Sequence, residues 1–342
     1  MMKRIYLITM TAALFAFVPA GRAATQNAPS FDFPVRCEWG KTCWPVNYVD
    51  HDPGKGIRDY ACGIATYNAP GRVMAHKGTD IAIRDLAAMR RGVQVLAAAA
   101  GRVVGVRDGV RDVDVTIAGY GSVKGRECGN GVVIAHGNKW RTQYCHMRRG
   151  SVSVRKGQTV AAGQVLGMVG MSGLTQFPHL HFQVFHGRQY VDPFTGPEQK
   201  TPCMAGNGSL WKKKVLVRLP YRPTALYNAG FAGENASPVK ARAGAYNGLV
   251  LTRLAPAVVL WVDIFNIRKG DRLTFTITAP GGRRILDNAV SIGRNATRKF
   301  RFLGLLRKGG VWPVGLYKGE VRLERQGDPF SPYVVKREVS LK

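Results

Sequence analysis

The chain consists largely of short apolar runs separated by glycine and asparagine, and this texture constrains the fold more than any other feature. No long stretch shows the helical period of hydrophobic residues. Short runs bounded by turn-forming residues are typical of strands in antiparallel sheets. Between residues 71 and 194 the runs are 93–97, 101–106, 113–117, 131–134 and 165–169. The sequence therefore predicts an all-β fold.

A length of 342 residues is enough for about two domains. We predict a loop-rich, disulfide-stapled extension over residues 24–60, a β domain over 61–196 and a basic linker with one edge strand over 197–247. Residues 248–342 are expected to form an immunoglobulin-like β-sandwich, because alternating apolar runs recur there between turns. These runs are 258–265, 272–277, 297–302, 316–323 and 334–341.

Residues 1–23 have the pattern of a secretory signal peptide. Lys3 and Arg4 precede an apolar run over residues 5–18, and small residues precede a cleavage point after Ala23. The best later apolar run, 257–265, is too short to span a bilayer and carries Asp263. We therefore expect a periplasmic or secreted protein without a transmembrane segment after cleavage.

Six cysteines in an exported chain suggest disulfides. Cys128 and Cys145 flank a predicted hairpin over residues 132–144 and become cross-strand neighbours, so we predict that they pair. The remaining four allow three pairings, which the sequence leaves open: they are Cys37, Cys43, Cys62 and Cys203.

A formal charge of +29 favours polyanionic surroundings, which outside a bacterial cytoplasm means envelope polymers, lipopolysaccharide or anionic lipid. Nucleic acid is not expected as a partner, because the sequence contains no recognition helix or stacking module. The alternative is that the charge provides only solubility and loose adhesion.

Two histidines lie two residues apart in the stretch Phe177-Pro178-His179-Leu180-His181-Phe182. On a strand, His179 and His181 share one face, while Leu180 and Phe182 point into the body of the fold. Imidazole is the commonest protein ligand of transition metals. The plain alternative is a pair of surface histidines on an ordinary strand.

A second motif, His76-Lys77-Gly78-Thr79-Asp80, stands directly before a short apolar run. A turn through Gly78 brings the imidazole of His76 and the carboxylate of Asp80 to one side. Together with His181 they provide two nitrogens and one oxygen, the protein ligand set of a catalytic zinc. A structural zinc site would use four ligands, usually including cysteines.

Between these motifs, Tyr144 and His146 are expected to share a strand face. The ordered motifs resemble those of the lysostaphin-type, LytM-like zinc metallopeptidases. The matching segments are residues 76–80, 144–147, 157–167, 178–182 and 191–193. The resemblance covers about residues 60–196, and five motifs in order are far more specific than any one alone.

The resemblance implies a Zn²⁺ site formed by His76, Asp80 and His181. It also implies that His146 and His179 remain free of the metal as catalytic groups. The implied activity is hydrolysis of peptide bonds in peptidoglycan stems or cross-bridges, with peptidoglycan as the polymeric partner. Tyr144 either orients His146 or packs in the core, and packing is the preferred interpretation.

The chain departs from the family pattern at Phe177, where the family more often has a small residue, and this affects the expected substrate preference. The extension and the C-terminal sandwich lie outside the resemblance. The sandwich is expected to have a binding, spacing or docking role, for example toward an envelope partner, and the alternative is that it only adds stability. Alternative functions are a non-catalytic cell-wall binder or hydrolase activator, and a bacteriolytic enzyme acting on glycine-rich peptides of other cells. A lipopolysaccharide or nucleic-acid binder is a further alternative.

Two further sets of residues have plainer interpretations. The remaining histidines are expected to be structural or surface residues: they are His51, His136 and His186. Asp50, Asp52 and Asp59 have a spacing that suggests a calcium loop, but the terminal glutamate of an EF-hand is missing. We therefore prefer turn formation for the three aspartates.

Overall fold

The computed structural model describes residues 28–52, 54, 56–68, 75–197, 203 and 208–342. The predicted signal peptide lies outside the described residues. Antiparallel strands dominate, and the predicted all-β class is confirmed. Among the described residues, no helix has the length and apolar character needed to span a bilayer.

The N-terminal domain contains ten strands and two short helices. The strands are β1 (Cys43–Asn47), β2 (Thr79–Ile83), β3 (Gln94–Leu96), β4 (Gly101–Arg107), β5 (Asn130–Ala135), β6 (Trp140–Met147), β7 (Thr159–Val160), β8 (Val165–Met168), β9 (His179–His186) and β10 (Gln189–Val191). The helices are α1 (Leu86–Arg91) and α2 (Val115–Ala118), and a 3₁₀ turn follows at Tyr120–Val123.

Eight of these strands form one sheet in the order β1-β2-β9-β6-β5-β4-β7, with β10 paired to β9, and β3 and β8 form a separate pair. All pairings are antiparallel. The core lies on one face of the large sheet, where Leu180, Phe182 and Tyr144 are fully buried. The site-bearing strands β2, β9 and β6 are neighbours in the middle of this sheet.

The C-terminal domain packs a three-stranded sheet against a five-stranded one. The short helix α3 (Lys213–Leu216) precedes it and packs against the N-terminal core through Val215. The elements of the C-terminal domain are β11 (Ala225–Ala232), α4 (Pro238–Ala243), β12 (Val250–Leu251), β13 (Ala257–Ile267), β14 (Arg272–Thr278), a 3₁₀ turn (Pro280–Gly282), β15 (Arg284–Ser291), β16 (Ala296–Leu306), β17 (Gly315–Glu324) and β18 (Tyr333–Leu341). The sheet orders are β11-β13-β16 and β12-β18-β17-β14-β15. Side chains from both sheets form one core. The immunoglobulin-like assignment of this sandwich stays a prediction.

Folded elements extend beyond the predicted domain boundaries. β1 lies within the predicted extension 24–60, yet it forms the edge of the large sheet beside β2. β11 lies within the predicted linker 197–247 and pairs with β13, so the edge strand expected there belongs to the sandwich. Basic and turn-forming residues dominate the composition of 197–247, and for this reason the sequence did not indicate that β11 is part of a core. In the structure Phe231 of β11 is almost fully buried.

The run 113–117 was predicted as a strand, and this prediction was wrong, because it contains α2. The Asp114 carboxylate accepts a hydrogen bond from the Thr116 backbone N–H at 2.8 Å, which caps the helix. Of the apolar side chains in this helix, Val115 is buried but Ile117 is 81% exposed. The apolar run therefore does not mark a strand face here.

The disulfides join Cys128 to Cys145, Cys37 to Cys43, and Cys62 to Cys203. The first pairing confirms the prediction from the hairpin. The other two resolve the pairings that the sequence left open. Cys62–Cys203 connects a loop that precedes β2 to a segment that follows the last strand of the N-terminal domain.

The two domains share an apolar contact. Trp44 and Val46 of β1 pack with Tyr227 and Phe265 of the C-terminal domain. The Asn266 side-chain amide donates a hydrogen bond to the Val46 carbonyl at 2.5 Å. Near Phe265 the N-terminal domain therefore covers the face of β13 that points away from the sandwich core. Val259 and Trp261 on the rest of this face pack with Ala241 of α4, and every residue of β13 is buried.

Arg325 forms a buried ion pair in the C-terminal domain. Its Nε and a terminal nitrogen donate to Asp271 at 2.8 and 2.7 Å, and both side chains are almost fully buried. Arg325→Ala leaves the Asp271 charge buried without its partner and should destabilise the domain by about 3–5 kcal/mol. The measurement is the free energy of unfolding by urea.

Arg272→Ala is the matched control for Arg325→Ala, because the Arg272–Glu324 pair is exposed and joins strands of the same sheet. Its loss should cost no more than about 1 kcal/mol. If both variants lost the same free energy of unfolding, burial of the Arg325–Asp271 pair would not matter for stability.

Candidate metal centre

Three motif residues meet where β2 pairs with β9. In this antiparallel pair Asp80 lies opposite His181, and Ala82 lies opposite His179. Leu180 and Phe182 point into the core with no exposed surface. The predicted alternation along β9 is confirmed, and it brings both histidines to the face that carries Asp80.

The side chains of His76, Asp80 and His181 converge on one point. Asp80 Oδ1 lies 2.8 Å from His181 Nδ1 and 3.1 Å from His76 Nε2, and the two nitrogens are 3.2 Å apart. Among the described residues, these three form a group that could hold a metal ion, with ligand atoms within 4.8 Å of one another. The group is almost entirely buried.

The segment around β1 fixes two of these side chains. The backbone carbonyl of Tyr48 accepts a hydrogen bond from His76 Nδ1–H at 2.6 Å, which leaves Nε2 directed at the centre. The Asn47 amide donates to Asp80 Oδ2 at 3.0 Å, which leaves Oδ1 directed at the same point. Sequence reasoning missed both partners, because nothing in the composition of the extension indicates contact with the metal motif.

Gly78 is required at its position by close packing. A Cβ atom added there would lie 2.7 Å from Cε1 and Nε2 of His181 and 2.6 Å from the Phe182 carbonyl. A larger residue would displace the His181 imidazole. The glycine of the His-x-x-x-Asp motif therefore allows the turn and β9 to approach each other.

The two remaining motif histidines lie beside this centre. His146 Nδ1–H donates to the Ser172 carbonyl at 2.7 Å, and His179 Nδ1–H donates to the Phe177 carbonyl at 2.9 Å. Their ring centroids are 4.7 Å apart. His179 Nε2 is buried without a hydrogen-bond partner and lies 3.4 Å from Asp80 Oδ1. Both imidazoles thus have one nitrogen anchored to backbone.

An irregularity in the backbone brings His146 to the face of the sheet that carries Asp80 and His181. The register between β5 and β6 shifts before Met147, and His146 has a φ of 61°, which is unusual for a residue other than glycine. The expectation that Tyr144 and His146 share a strand face was wrong. Tyr144 pairs with Phe182 on the core side, and its hydroxyl accepts a hydrogen bond from the Ala98 N–H at 2.8 Å.

Burial controls the charge states of the site. It lowers the pKa of His146 well below the usual range, and the nearby imidazoles of His179 and His181 lower it further. Burial opposes ionisation of Asp80, but His76 and His179 hold the pKa of that carboxyl well below its usual range. The site therefore combines a neutral imidazole, that of His146, with an ionised carboxylate, that of Asp80.

The other histidines lie away from the centre. His51 Nε2 pairs with Asp192 Oδ2 at 2.8 Å, and His136 bonds the Ala100 carbonyl and the Thr142 hydroxyl, both at 2.8 Å. His186 is exposed and stacks on Trp140. All three have the structural or surface positions predicted for them.

The aspartates of the extension accept backbone hydrogen bonds in turns. Asp50 accepts from the N–H groups of Asp52 and Arg58, and Asp59 accepts from three backbone N–H groups. These bonds are the turn contacts preferred in the sequence analysis over a calcium loop.

Comparison with known proteins agrees with this geometry. The model of peptidase family M23 matches residues 74–193, a range that contains all five motif residues. Residues 74–193 form a peptidase family M23 domain. The resemblance predicted from the ordered motifs is confirmed.

Relatives of the chain include a peptidoglycan endopeptidase and a metalloprotease. The peptidoglycan DD-endopeptidase ShyB of Vibrio cholerae is 33% identical over 122 residues, which are 36% of this chain and 23% of that protein. An uncharacterized metalloprotease of Haemophilus influenzae is 29% identical over 150 residues, or 44% and 26% of the two chains. The chain thus spans about a quarter of the length of these relatives.

Similar solved structures include a zinc-containing peptidase from Vibrio cholerae, with 26% identity, a TM-score of 0.33, and coverage of 48% of this chain and 39% of that one. The catalytic domain of lysostaphin from Staphylococcus simulans has 24% identity and a TM-score of 0.27, with coverage of 37% and 83%. Asn47 and Tyr48, which hold the metal motif, precede the matched range of the M23 domain.

Proposed function

We propose that this protein is an exported zinc metalloendopeptidase that hydrolyses peptide bonds in peptidoglycan stems or cross-bridges. The observation that carries the proposal is the convergence of three buried ligand atoms within 4.8 Å beside the unpaired Nε2 of His179. The M23 match and the relatives named as peptidoglycan DD-endopeptidases support the reaction and substrate class.

The donor set fits zinc. Zinc sites with nitrogen and oxygen ligands have bond lengths near 2.0–2.1 Å, so ligand atoms at tetrahedral corners are about 3.3 Å apart. The three separations here are 2.8, 3.1 and 3.2 Å. His76, Asp80 and His181 would hold the ion. Three protein ligands leave a fourth position for water or substrate, as in catalytic rather than structural sites.

When bound, zinc supplies Lewis acidity that activates water and polarises the scissile carbonyl. His146 is neutral and has its Nδ1–H anchored, so its Nε2 can take up a proton from the attacking water. The protonated imidazole can then pass the proton to the leaving amine. His179 Nε2 can stabilise the developing oxyanion when it carries a proton.

The expected location of the protein and its net charge are both consistent with peptidoglycan as the substrate. The signal-peptide pattern of residues 1–23 supports export to the periplasm or the medium. A net charge of +29 favours association with an anionic wall. Both features support peptidoglycan over a soluble cytoplasmic peptide as the substrate.

Digestion of purified sacculi tests the proposal. The mature protein with zinc is expected to release muropeptides whose masses identify a cleaved peptide bond, whereas His181→Ala releases none. His186→Ala is the matched control, because His186 lies on the same strand, is exposed and is distant from the ligands. Its digestion pattern should equal that of the wild type.

Other outcomes of this digestion identify the rival functions. Binding to sacculi without zinc-dependent release would identify a non-catalytic wall binder and refute the proposal. If the protein cleaves glycine-rich peptides but does not cut sacculi without such peptides, its substrate is the glycine-rich wall of other species.

A further inference from the structure

Phe177 connects the proposed catalytic centre to the C-terminal domain. Its ring stacks on the imidazole of His179, with centroids 4.4 Å apart and an interplanar angle of 26°. It also packs against Phe265 of β13, with centroids 4.9 Å apart. The residue that departs from the family pattern is therefore held between the two domains and is only partly exposed.

Arg298 of β16 covers the same aromatic cluster. Its guanidinium carbon lies 5.5 Å from the ring centre of Phe177 and 5.6 Å from that of Phe265. These distances lie within the range of cation–π attraction. The C-terminal domain thus contributes both an aromatic ring and a cation to the surroundings of Phe177.

Arg298 is itself fixed by buried polar groups. Its Nε donates to the Tyr227 hydroxyl at 2.9 Å, and a terminal nitrogen lies 3.2 Å from Asp263 Oδ2. Asp263 has no exposed surface and also accepts from Arg242 at 2.8 Å. Burial opposes ionisation of Asp263, but Arg298 and Arg242 keep its pKa below the usual value. The guanidinium position is therefore set within the C-terminal domain.

The orientation of His179 depends on the same residue in two ways. The backbone carbonyl of Phe177 accepts the Nδ1–H of His179, and the Phe177 ring covers one face of the imidazole. Thr175 Oγ1 lies 3.1 Å from the same nitrogen and donates to the Phe177 carbonyl at 2.9 Å. A shift of Phe177 would therefore move both the hydrogen bond and the stacking surface of His179.

We propose that Phe177 is a positioning residue for His179, and that the C-terminal domain supports it through Phe265 and Arg298, so that the two domains form one catalytic unit. This inference rests on the proposed function, because it gives His179 a role in the reaction. It assigns the sandwich a task in catalysis in addition to the expected binding of an envelope partner.

Kinetics on the soluble muropeptide that the sacculus digestion identifies provide the first test. Phe177→Leu should lower kcat by about 10–100-fold with KM nearly unchanged, because small misplacements of catalytic groups cost about that much. Phe177→Tyr keeps the stacked ring and should restore the rate. Arg298→Ala, in the other domain, should change kcat in the same direction. Arg294→Ala removes an equal charge from an exposed position and should leave kcat unchanged.

Nuclear magnetic resonance on protein with ¹³C-labelled histidine provides a readout that does not depend on turnover. The ring signals of His179 should shift in Phe177→Leu and in Arg298→Ala, since the stacked ring contributes a ring-current shift. Zinc content should stay near the wild-type value, and His186 signals should not move. The thermal midpoint of Arg298→Ala should fall, because the buried Asp263 keeps only Arg242 as a charged partner. Arg298→Ala keeps the test informative if Phe177→Leu fails to fold.

Several outcomes would overturn the inference. In an active wild-type background, unchanged kcat in both Phe177→Leu and Arg298→Ala would refute the positioning role. An increase in KM alone would make Phe177 a substrate contact instead. A wild-type protein that cleaves nothing would refute the proposed function, and the catalytic role given to Phe177 with it.

Discussion

His181→Ala is expected to abolish both zinc retention and peptide-bond hydrolysis. Among the described residues, the imidazole of His181 supplies one of three converging ligand atoms, and Asp80 Oδ1 lies 2.8 Å from it. Two remaining ligands do not make a catalytic zinc site. Loss of about 4 kcal/mol of transition-state stabilisation from the metal corresponds to about a 10³-fold drop in rate.

Zinc per chain, measured by plasma mass spectrometry after dialysis, should fall from one to near zero in His181→Ala. The rate of muropeptide release should fall with it. His186→Ala should retain both values, because His186 is exposed five residues further along the same strand. Full zinc occupancy in His181→Ala would show that the ion binds elsewhere.

Much of this site follows from local rules of sequence. The two-residue spacing of His179 and His181 on a strand places them on one face, and the apolar residues between and after them identify the buried side. The turn at Gly78 and the pairing of β2 with β9 then bring Asp80 opposite His181. The pairing of Cys128 with Cys145 follows from the same kind of local argument about a hairpin.

Contacts distant in sequence could not be predicted in this way. His146 reaches the centre because its φ of 61° breaks the alternation of β6, whereas regular alternation would direct its side chain toward the core together with that of Tyr144. Asn47 and Tyr48 contact the motif only because β1 adds to the edge of the sheet. Non-local packing of this kind leaves no periodic signal in a single sequence.

The contacts of Phe177 are also distant in sequence and could not be predicted. The sequence identified it as a departure from the family pattern and suggested an effect on substrate preference. Its contact with Phe265 and Arg298 depends on how two domains pack, and those residues lie about ninety and one hundred and twenty positions later in the chain. An isolated aromatic residue before a strand does not predict its partners.

The two free histidines should separate catalysis from metal binding. His146→Ala and His179→Ala are each expected to keep zinc at one ion per chain, because neither side chain belongs to the converging ligand set. Each should lower the rate by about 10²–10⁴-fold, the usual contribution of a general acid or base. The measurements are zinc content and single-turnover cleavage of a soluble muropeptide.

The double variant decides whether the two imidazoles act together. Their ring centroids are 4.7 Å apart, and both flank the same centre, so each depends on the other to complete proton transfer and oxyanion stabilisation. Groups that act as a unit show strongly non-additive losses, and we expect the double variant to be little slower than the slower single variant. Fully multiplicative losses would contradict a joint role. Loss of zinc from either single variant would instead assign that histidine to the ligand set and require a new division of roles among His76, His146, His179 and His181.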